Sequence, residues 1–269
     1  MFLLELIEPL RDKKLFFLDG DGVLWMGNQP IHGASRVIKF LREHALFCFL
    51  LTNNSTKSRT SYVEKLQKLF GEKFRLDEIL TSAYGAALYL KEKRANRVFV
   101  IGESGLKEEL LNVDLNVVDE EDNNAVDFVV VGLDRDFNYS KLSTALKHLY
   151  NDAELLATNN DPFLVTEKFP IPGAGALVSA VEICSGKKAL TVIGKPNPFL
   201  IRLGLEKTGV KPEEAVCIGD RITTDIKAGK DAGIFTVFVK TGTGKNEEHL
   251  INETKPNLVL NSIANLIKD

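Results

Sequence analysis

The chain has 269 residues, of which 44% are hydrophobic and 26% are charged, and its formal net charge is -3. This composition is ordinary for a water-soluble protein, and the length suits one large domain or two smaller ones. The near-neutral charge gives no indication of a basic face for nucleic acid. No apolar run approaches the ~20 residues that cross a bilayer. The N-terminus lacks the basic start that is typical of a signal peptide.

Short apolar segments alternate with longer amphipathic segments, which predicts an α/β fold with a mainly parallel sheet. Many of the short segments are apolar throughout, as is typical of strands covered on both faces. The predicted strands are 15–18, 46–51, 98–101, 128–131, 154–157, 189–193, 216–218, 235–239 and 258–260. The predicted helices are 33–44, 57–70, 82–93, 105–111, 139–150, 175–185, 197–208 and 224–232.

The three cysteines are Cys48, Cys184 and Cys217, and each lies in an apolar stretch. An odd number of cysteines, each within an apolar stretch, indicates buried free thiols rather than disulfides. We therefore expect a protein of a reducing compartment, the cytoplasm.

Polar side chains follow four of the predicted strands. Since ligands of parallel α/β sheets bind beyond the carboxyl ends of the strands, we expect these side chains to meet at one edge. Each set alone also suits a turn or a helix cap, but four together are much less expected by chance. In chain order they are Asp19 with Asp21, Thr52 with Asn53 and Asn54, Lys195, and Asp220 with Asp225.

This set of side chains suits phosphoryl transfer. Clustered carboxylates at Asp19, Asp21 and Asp220 repel one another unless a cation lies among them, and oxygen ligands without His or Cys favour Mg²⁺. Thr and Asn donors at a helix N-terminus form an anion site, and a lysine neutralises further negative charge. Metal, cation and oriented donors are what the transfer of a phosphoryl group requires.

The four motifs resemble those of the haloacid dehalogenase superfamily. FFLDGDGVLW is similar to the first motif, LLTNNST to the second, VIGKPNP to the third and CIGDRITTDI to the fourth. TNNSTKSR and PGAGALVSAVE further resemble the p-nitrophenyl phosphatase, phosphoglycolate phosphatase and NagD-like group. The resemblance implies a Rossmann-like core of residues 1–83 and 186–269, with an α/β cap domain of residues 84–185 inserted to select the substrate.

The resemblance also implies roles for charged residues of the first, third and fourth motifs. Asp19 would be the nucleophile that forms an aspartyl-phosphate, and Asp21 would be the general acid and base. Lys195 would pair with Asp19 and with the phosphate. Mg²⁺ would be held by Asp19, Asp220 and the backbone carbonyl of Asp21, and Asp225 would orient a metal-bound water or Lys195.

Phosphate and substrate contacts are implied for the second motif and for the cap loop of residues 159–165. Thr52 and Asn53 would bind phosphate oxygens together with Lys195, with Asn54 close by. Asn160 and Asp161 of the loop would face the substrate, although a simple turn explains the same loop equally well.

We expect the protein to be a Mg²⁺-dependent phosphomonoesterase that acts on p-nitrophenyl phosphate and 2-phosphoglycolate. The resemblance also implies a homodimer that forms through the cap. Phe163-Leu164 stands where pyridoxal phosphatases carry a histidine, which disfavours pyridoxal phosphate. Sugar or nucleotide phosphatases of the same fold remain open. A phosphotransferase or mutase is disfavoured by the short stretch after the first motif. A non-enzymatic phospho-acceptor module is disfavoured by Asp21 and by the length of the chain. Trp25, the single tryptophan, is expected to pack beneath the site.

Overall fold

The computed structural model describes residues 4–164, 169–242 and 247–268. The chain divides into two compact units. Unit 1 takes the described residues of Met1–Thr52, Val63–Leu80 and Lys195–Asp269, and unit 2 takes those of Asn53–Tyr62 and Thr81–Gly194. The assignment of residues 84–185 to a substrate-selecting cap stays a prediction.

Unit 1 is built on a six-stranded sheet. Its strands lie in the order Leu258–Leu260, Phe235–Val239, Ala215–Gly219, Leu15–Leu18, Phe47–Thr52 and Ile79–Thr81. The first five pair in parallel, and Leu15–Leu18 near the middle is buried along its whole length. The rings of Phe17 and Phe49 on neighbouring strands pack edge to face with centroids 5.9 Å apart. Each such side chain contributes about 1.5–3 kcal/mol by leaving water, which makes this strand a rigid base for the residues after it.

Helices and short ribbons complete unit 1. The α-helices are Ala34–Glu43, Phe199–Thr208, Lys227–Asp231 and Ile251–Thr254, and Arg59–Phe70 crosses the boundary from unit 2. Short 3-10 helices are Leu76–Glu78, Pro212–Glu214, Glu248–Leu250 and Ile263–Leu266, and a π-helical turn spans Ile222–Ile226. Two antiparallel pairs join Glu5–Leu6 to Ile267–Lys268 and Trp25–Met26 to Gln29–Pro30.

Unit 2 has its own parallel sheet and core. The five strands lie in the order Thr191–Val192, Glu154–Ala157, Phe128–Val131, Arg97–Ile101 and Asn116–Val118. Its α-helices are Ser82–Glu92, Ser104–Leu111, Tyr139–Tyr150 and Ala174–Ser185, and an antiparallel pair joins Phe163–Leu164 to Ile171–Pro172. Apolar side chains of the strands and of the last two helices form one buried cluster, so unit 2 has a core separate from that of unit 1.

The α/β class with mainly parallel sheets is confirmed, but two expectations are wrong. The segment 189–193 yields a strand of only Thr191–Val192, and that strand joins the sheet of unit 2 rather than that of unit 1. Lys195 therefore does not follow a strand of the same sheet as Asp19. Cys184 is exposed rather than buried, because it lies on the outer face of Ala174–Ser185, whereas Cys48 and Cys217 are buried free thiols.

Across the part of the chain that the structure describes, no helix combines the length and the apolar character needed to cross a membrane.

Candidate functional site

Three neighbouring strands of unit 1 bring their carboxyl ends together. Leu18 pairs with Ile218 on one side and with Leu50 on the other. Asp19, Asp220 and Thr52 follow these residues within one or two positions, so the parallel register carries all three to the same edge. Asp19, Asp220 and Thr52 are 9%, 2% and 3% exposed.

Lys195 bridges two buried carboxylates at this edge. Its Nζ lies 2.7 Å from Asp19 Oδ1 and 2.5 Å from Asp225 Oδ1, and it also donates to the carbonyl of Leu51 at 3.1 Å. The lysine side chain is 3% exposed. Removal of Lys195 would leave both carboxylates without a countercharge away from water, so Asp19 and Asp225 depend on the lysine.

Burial and these contacts set the charges of the group. Burial disfavours the charged lysine, but the carboxylates of Asp19 and Asp225 outweigh it and raise the pKa of Lys195. Burial is also the main influence on Asp19 and raises its pKa; Lys195 opposes this effect, whereas Asp225 and Asp220 add to it. One lysine therefore does not balance three carboxylates, and a second positive charge would favour an ionised Asp19.

The carboxylates themselves suit a metal ion as that second charge. Among the described residues, Asp19, Asp220 and Asp225 each place one carboxylate oxygen within 4.8 Å of the others. Such a set of hard oxygen donors fits Mg²⁺. Asp225 already uses Oδ1 with Lys195 and Oδ2 with the backbone N–H of Arg221. Asp19 and Asp220 are therefore the better ligands, and Asp225 is better placed to orient Lys195.

Two glycines press against the Asp220 carboxylate. Gly22 has φ of +91° and Gly242 has φ of +60°, and a Cβ at either position would overlap Asp220. The glycine after Asp21 is thus needed both for its backbone conformation and for the space that it leaves.

Asp21 lies outside the cluster of three carboxylates. It is half-buried, and its Oδ1 accepts a hydrogen bond of 2.9 Å from the indole Nε1 of Trp25. Trp25 is fully buried, as predicted, but its contact with Asp21 was not predicted. A single tryptophan near a motif carries no signal of which atom its N–H will reach.

Asn53 follows Thr52 directly and belongs to unit 2, where it contacts the loop predicted to face the substrate. Its Nδ2 donates to Asp161 Oδ2 at 3.1 Å, and its carbonyl accepts from Asn159 Nδ2 at 2.9 Å and from Ser82 Oγ at 2.5 Å. The second motif and the loop are therefore connected within unit 2. Asn159 belongs to the predicted loop, but neither it nor Ser82 was assigned a role.

The remaining predicted residues of unit 2 are Asn54, Asn160 and Asp161. Asn54 Oδ1 accepts from the N–H and hydroxyl of Thr56, which forms a local turn. Asn160 is exposed and Asp161 is half-buried. Val165, the last residue of the predicted loop, lies outside the described residues.

Two family profiles match the chain. Residues 16–116 match one described as haloacid dehalogenase-like hydrolase, and residues 192–266 match one described as HAD-hydrolase-like. The first match contains the first two motifs, and the second contains the lysine and fourth motifs.

Whole proteins similar to this chain are named phosphatases. An acid sugar phosphatase of Staphylococcus epidermidis is 34% identical over 248 residues, which cover 92% of this chain and 94% of that protein. The structure of a p-nitrophenyl phosphatase from Archaeoglobus fulgidus is similar with a TM-score of 0.86 and 33% identity, covering 94% of this chain and 98% of its own. The structure of NagD from Escherichia coli K-12 is similar with a TM-score of 0.82 and 29% identity, covering 94% of this chain and 97% of its own.

Gly22→Ala should weaken the binding of Mg²⁺ by about tenfold or more, because the new methyl group displaces the Asp220 carboxylate. Titration calorimetry with MgCl₂ measures this loss. Gly71→Ala is the matched control: Gly71 also has a positive φ, +73°, but a Cβ there meets nothing within 4 Å. Both variants should lose about 1–2 kcal/mol of stability from backbone strain. Equal Mg²⁺ affinity in the two variants would contradict the assignment of Asp220 to the metal site.

Proposed function

Because the chain belongs to the haloacid dehalogenase-like hydrolases and is a phosphatase of that superfamily, we propose that it hydrolyses small phosphate monoesters with Mg²⁺ held at its acidic cluster. The observation that carries this proposal is the buried contact of Lys195 with Asp19 and Asp225. It holds one carboxylate oxygen of Asp19 in a fixed position and places positive charge where an anionic phosphate must approach.

The first half-reaction transfers the phosphoryl group to the protein. A carboxylate oxygen of Asp19 bonds to phosphorus while the bond between phosphorus and the ester oxygen breaks. Asp21 gives its proton to the departing oxygen, because an alkoxide is a poor leaving group. The products are phosphorylated Asp19 and a free alcohol. Thr52 and Asn53 would hold phosphate oxygens during this step.

The second half-reaction returns the protein to its starting state. Asp21 removes a proton from water as the water oxygen bonds to phosphorus, and the bond between phosphorus and Asp19 breaks. Inorganic phosphate leaves, Asp21 is again protonated and Asp19 is again ionised. When bound to Asp19, Asp220 and the backbone carbonyl of Asp21, Mg²⁺ would supply the charge neutralisation that lets two anions meet.

Asp19→Asn should lower kcat by about four orders of magnitude or more, because the amide oxygen is too weak a nucleophile for this attack. The fold should remain, since the amide has the size of the carboxylate and still accepts from Lys195. Phosphate release with Mg²⁺ measures the activity, and circular dichroism checks the fold. Asp12→Asn, an exposed change of the same charge, is the control and should retain full activity. Normal turnover by Asp19→Asn would exclude the covalent mechanism.

Substrate choice is proposed to lie in unit 2, with two candidate substrate classes. 2-Phosphoglycolate is the substrate expected from the sequence. Sugar phosphates are suggested by the relatives that are named acid sugar phosphatases. The contact of Asp161 with Asn53 favours sugar phosphates. A carboxylate beside a phosphate-binding residue repels the carboxylate of phosphoglycolate, whereas it accepts hydrogen bonds from sugar hydroxyls.

Wild-type protein should therefore show a higher kcat/KM for glucose 6-phosphate and ribose 5-phosphate than for 2-phosphoglycolate or pyridoxal phosphate. Asp161→Asn should move the ratio of sugar phosphate to phosphoglycolate toward phosphoglycolate by about tenfold, as expected for removal of one close charge. Asp136→Asn, an exposed change in the same unit, is the control and should leave the ratio unchanged. An unchanged ratio in Asp161→Asn would place the selectivity elsewhere.

A homodimer through unit 2 is also proposed. Large apolar side chains of its helices are strongly exposed, among them Tyr139 at 84% and Ile183 at 81%, which supports a contact surface there. Light scattering should give twice the chain mass, and a value near 29.8 kDa would contradict the dimer. The cytoplasmic location stays a prediction from the cysteine content.

A further inference from the structure

The indole N–H of the buried Trp25 donates to a side-chain carboxylate rather than to a backbone carbonyl. It is fully buried, and its indole N–H donates to Asp21 Oδ1 at 2.9 Å. A buried indole needs a hydrogen-bond acceptor, but a backbone carbonyl would satisfy that need. Here the acceptor is the carboxylate with the acid and base role in the proposed function.

The indole ring is itself held in one place by unit 1. Gly20 packs against one side so closely that a Cβ there would overlap the ring. The ammonium of Lys65 lies 4.0 Å from the ring centroid and donates to the carbonyl of Gly27 at 3.0 Å. A cation over an indole face is attracted by the ring quadrupole. Lys65 and Gly20 thus fix the direction in which the N–H points.

Backbone hydrogen bonds also link Trp25 to the two glycines on either side of Asp21. The N–H of Trp25 donates to the carbonyl of Gly20 at 3.1 Å, and the N–H of Gly22 donates to the carbonyl of Trp25 at 2.8 Å. Asp21 lies between these two glycines, so both its backbone and its side chain are tied to the tryptophan. Small movements of Trp25 would be transmitted directly to the Asp21 carboxylate.

We propose that Trp25 is a positioning residue that orients the Asp21 carboxylate for proton transfer, an inference that rests on the proposed function. Indole N–H is a donor only, so Oδ1 must accept whether Asp21 is protonated or not. The transferable proton is therefore on Oδ2. It passes from Oδ2 to the ester oxygen as the bond from that oxygen to phosphorus breaks, and Oδ2 later takes a proton from water.

The kinetic test uses Trp25→Phe, which keeps an aromatic ring over Gly20 and beneath Lys65 but lacks the N–H. For a sugar phosphate, whose leaving alkoxide needs a proton, kcat/KM should fall about tenfold, as expected for loss of a hydrogen bond to a charged group. For p-nitrophenyl phosphate, whose phenolate leaves unaided, the loss should be clearly smaller. A role in packing alone would lower both values equally, and that result would overturn the inference.

Asp21→Asn separates this inference from the proposed function. If kcat/KM, which reports phosphoryl transfer to Asp19, also falls far more with the sugar phosphate than with p-nitrophenyl phosphate in Asp21→Asn, the general acid is confirmed. Equal losses in Trp25→Phe would then overturn only the role of Trp25. If Asp21→Asn is fully active with both substrates, the proposed function fails, and the inference fails with it.

A spectroscopic measurement tests the contact without relying on activity or on the folding of Trp25→Phe. The chain has one tryptophan, so its indole Nε1–H gives a single NMR cross-peak that needs no assignment. This peak should move upfield in Asp21→Ala, which removes the acceptor, and should not move in the control Asp12→Ala. A peak that is unchanged in Asp21→Ala would overturn the inference.

Discussion

The buried contact of Lys195 with Asp19 and Asp225 is the interaction on which the rest of the site depends. A carboxylate removed from water loses its charge unless a cation replaces the lost hydration. Lys195 supplies that charge at 2.7 Å and 2.5 Å and is itself 3% exposed, so both carboxylates depend on the lysine to stay ionised in place. This constraint makes Lys195 a structural element of unit 1 as well as a source of positive charge at the site.

The carboxylates of Asp19, Asp220 and Asp21 differ in their surroundings, and these differences suit the separate roles proposed for them. Asp19 shares the lysine and can act as nucleophile. Asp220 is pressed by Gly22 and Gly242 toward a fixed position suited to a metal ligand. Asp21 is half-buried and held by an indole N–H, so it can exchange a proton with the substrate. The chemistry of phosphoester hydrolysis needs these three separate functions.

The sequence predicted the parts of the site that follow from strand ends, but not those that depend on side-chain contacts. Leu15–Leu18 is apolar throughout, so its central place and the position of Asp19 after it could be inferred. The predicted contact of Lys195 with Asp19 is present, but the strand before Lys195 belongs to the other sheet, because apolar patterning does not reveal which of two sheets a strand joins. The contacts of Trp25 with Asp21 and of Asn53 with Asp161 depend on the directions of individual side chains. The spacing of residues along the sequence does not predict these directions.

The central claim is that Asp19 is phosphorylated during turnover, and chemical trapping of the acyl phosphate tests it most directly. Asp21→Asn would be mixed with p-nitrophenyl phosphate and Mg²⁺, because this variant can still form the intermediate but lacks the base that hydrolyses it. Acid quenching and borohydride reduction convert an aspartyl-phosphate to homoserine, which peptide mass spectrometry detects. The account predicts homoserine at position 19 and at no other aspartate. Release of p-nitrophenol with position 19 unchanged, or with another residue modified, would contradict it.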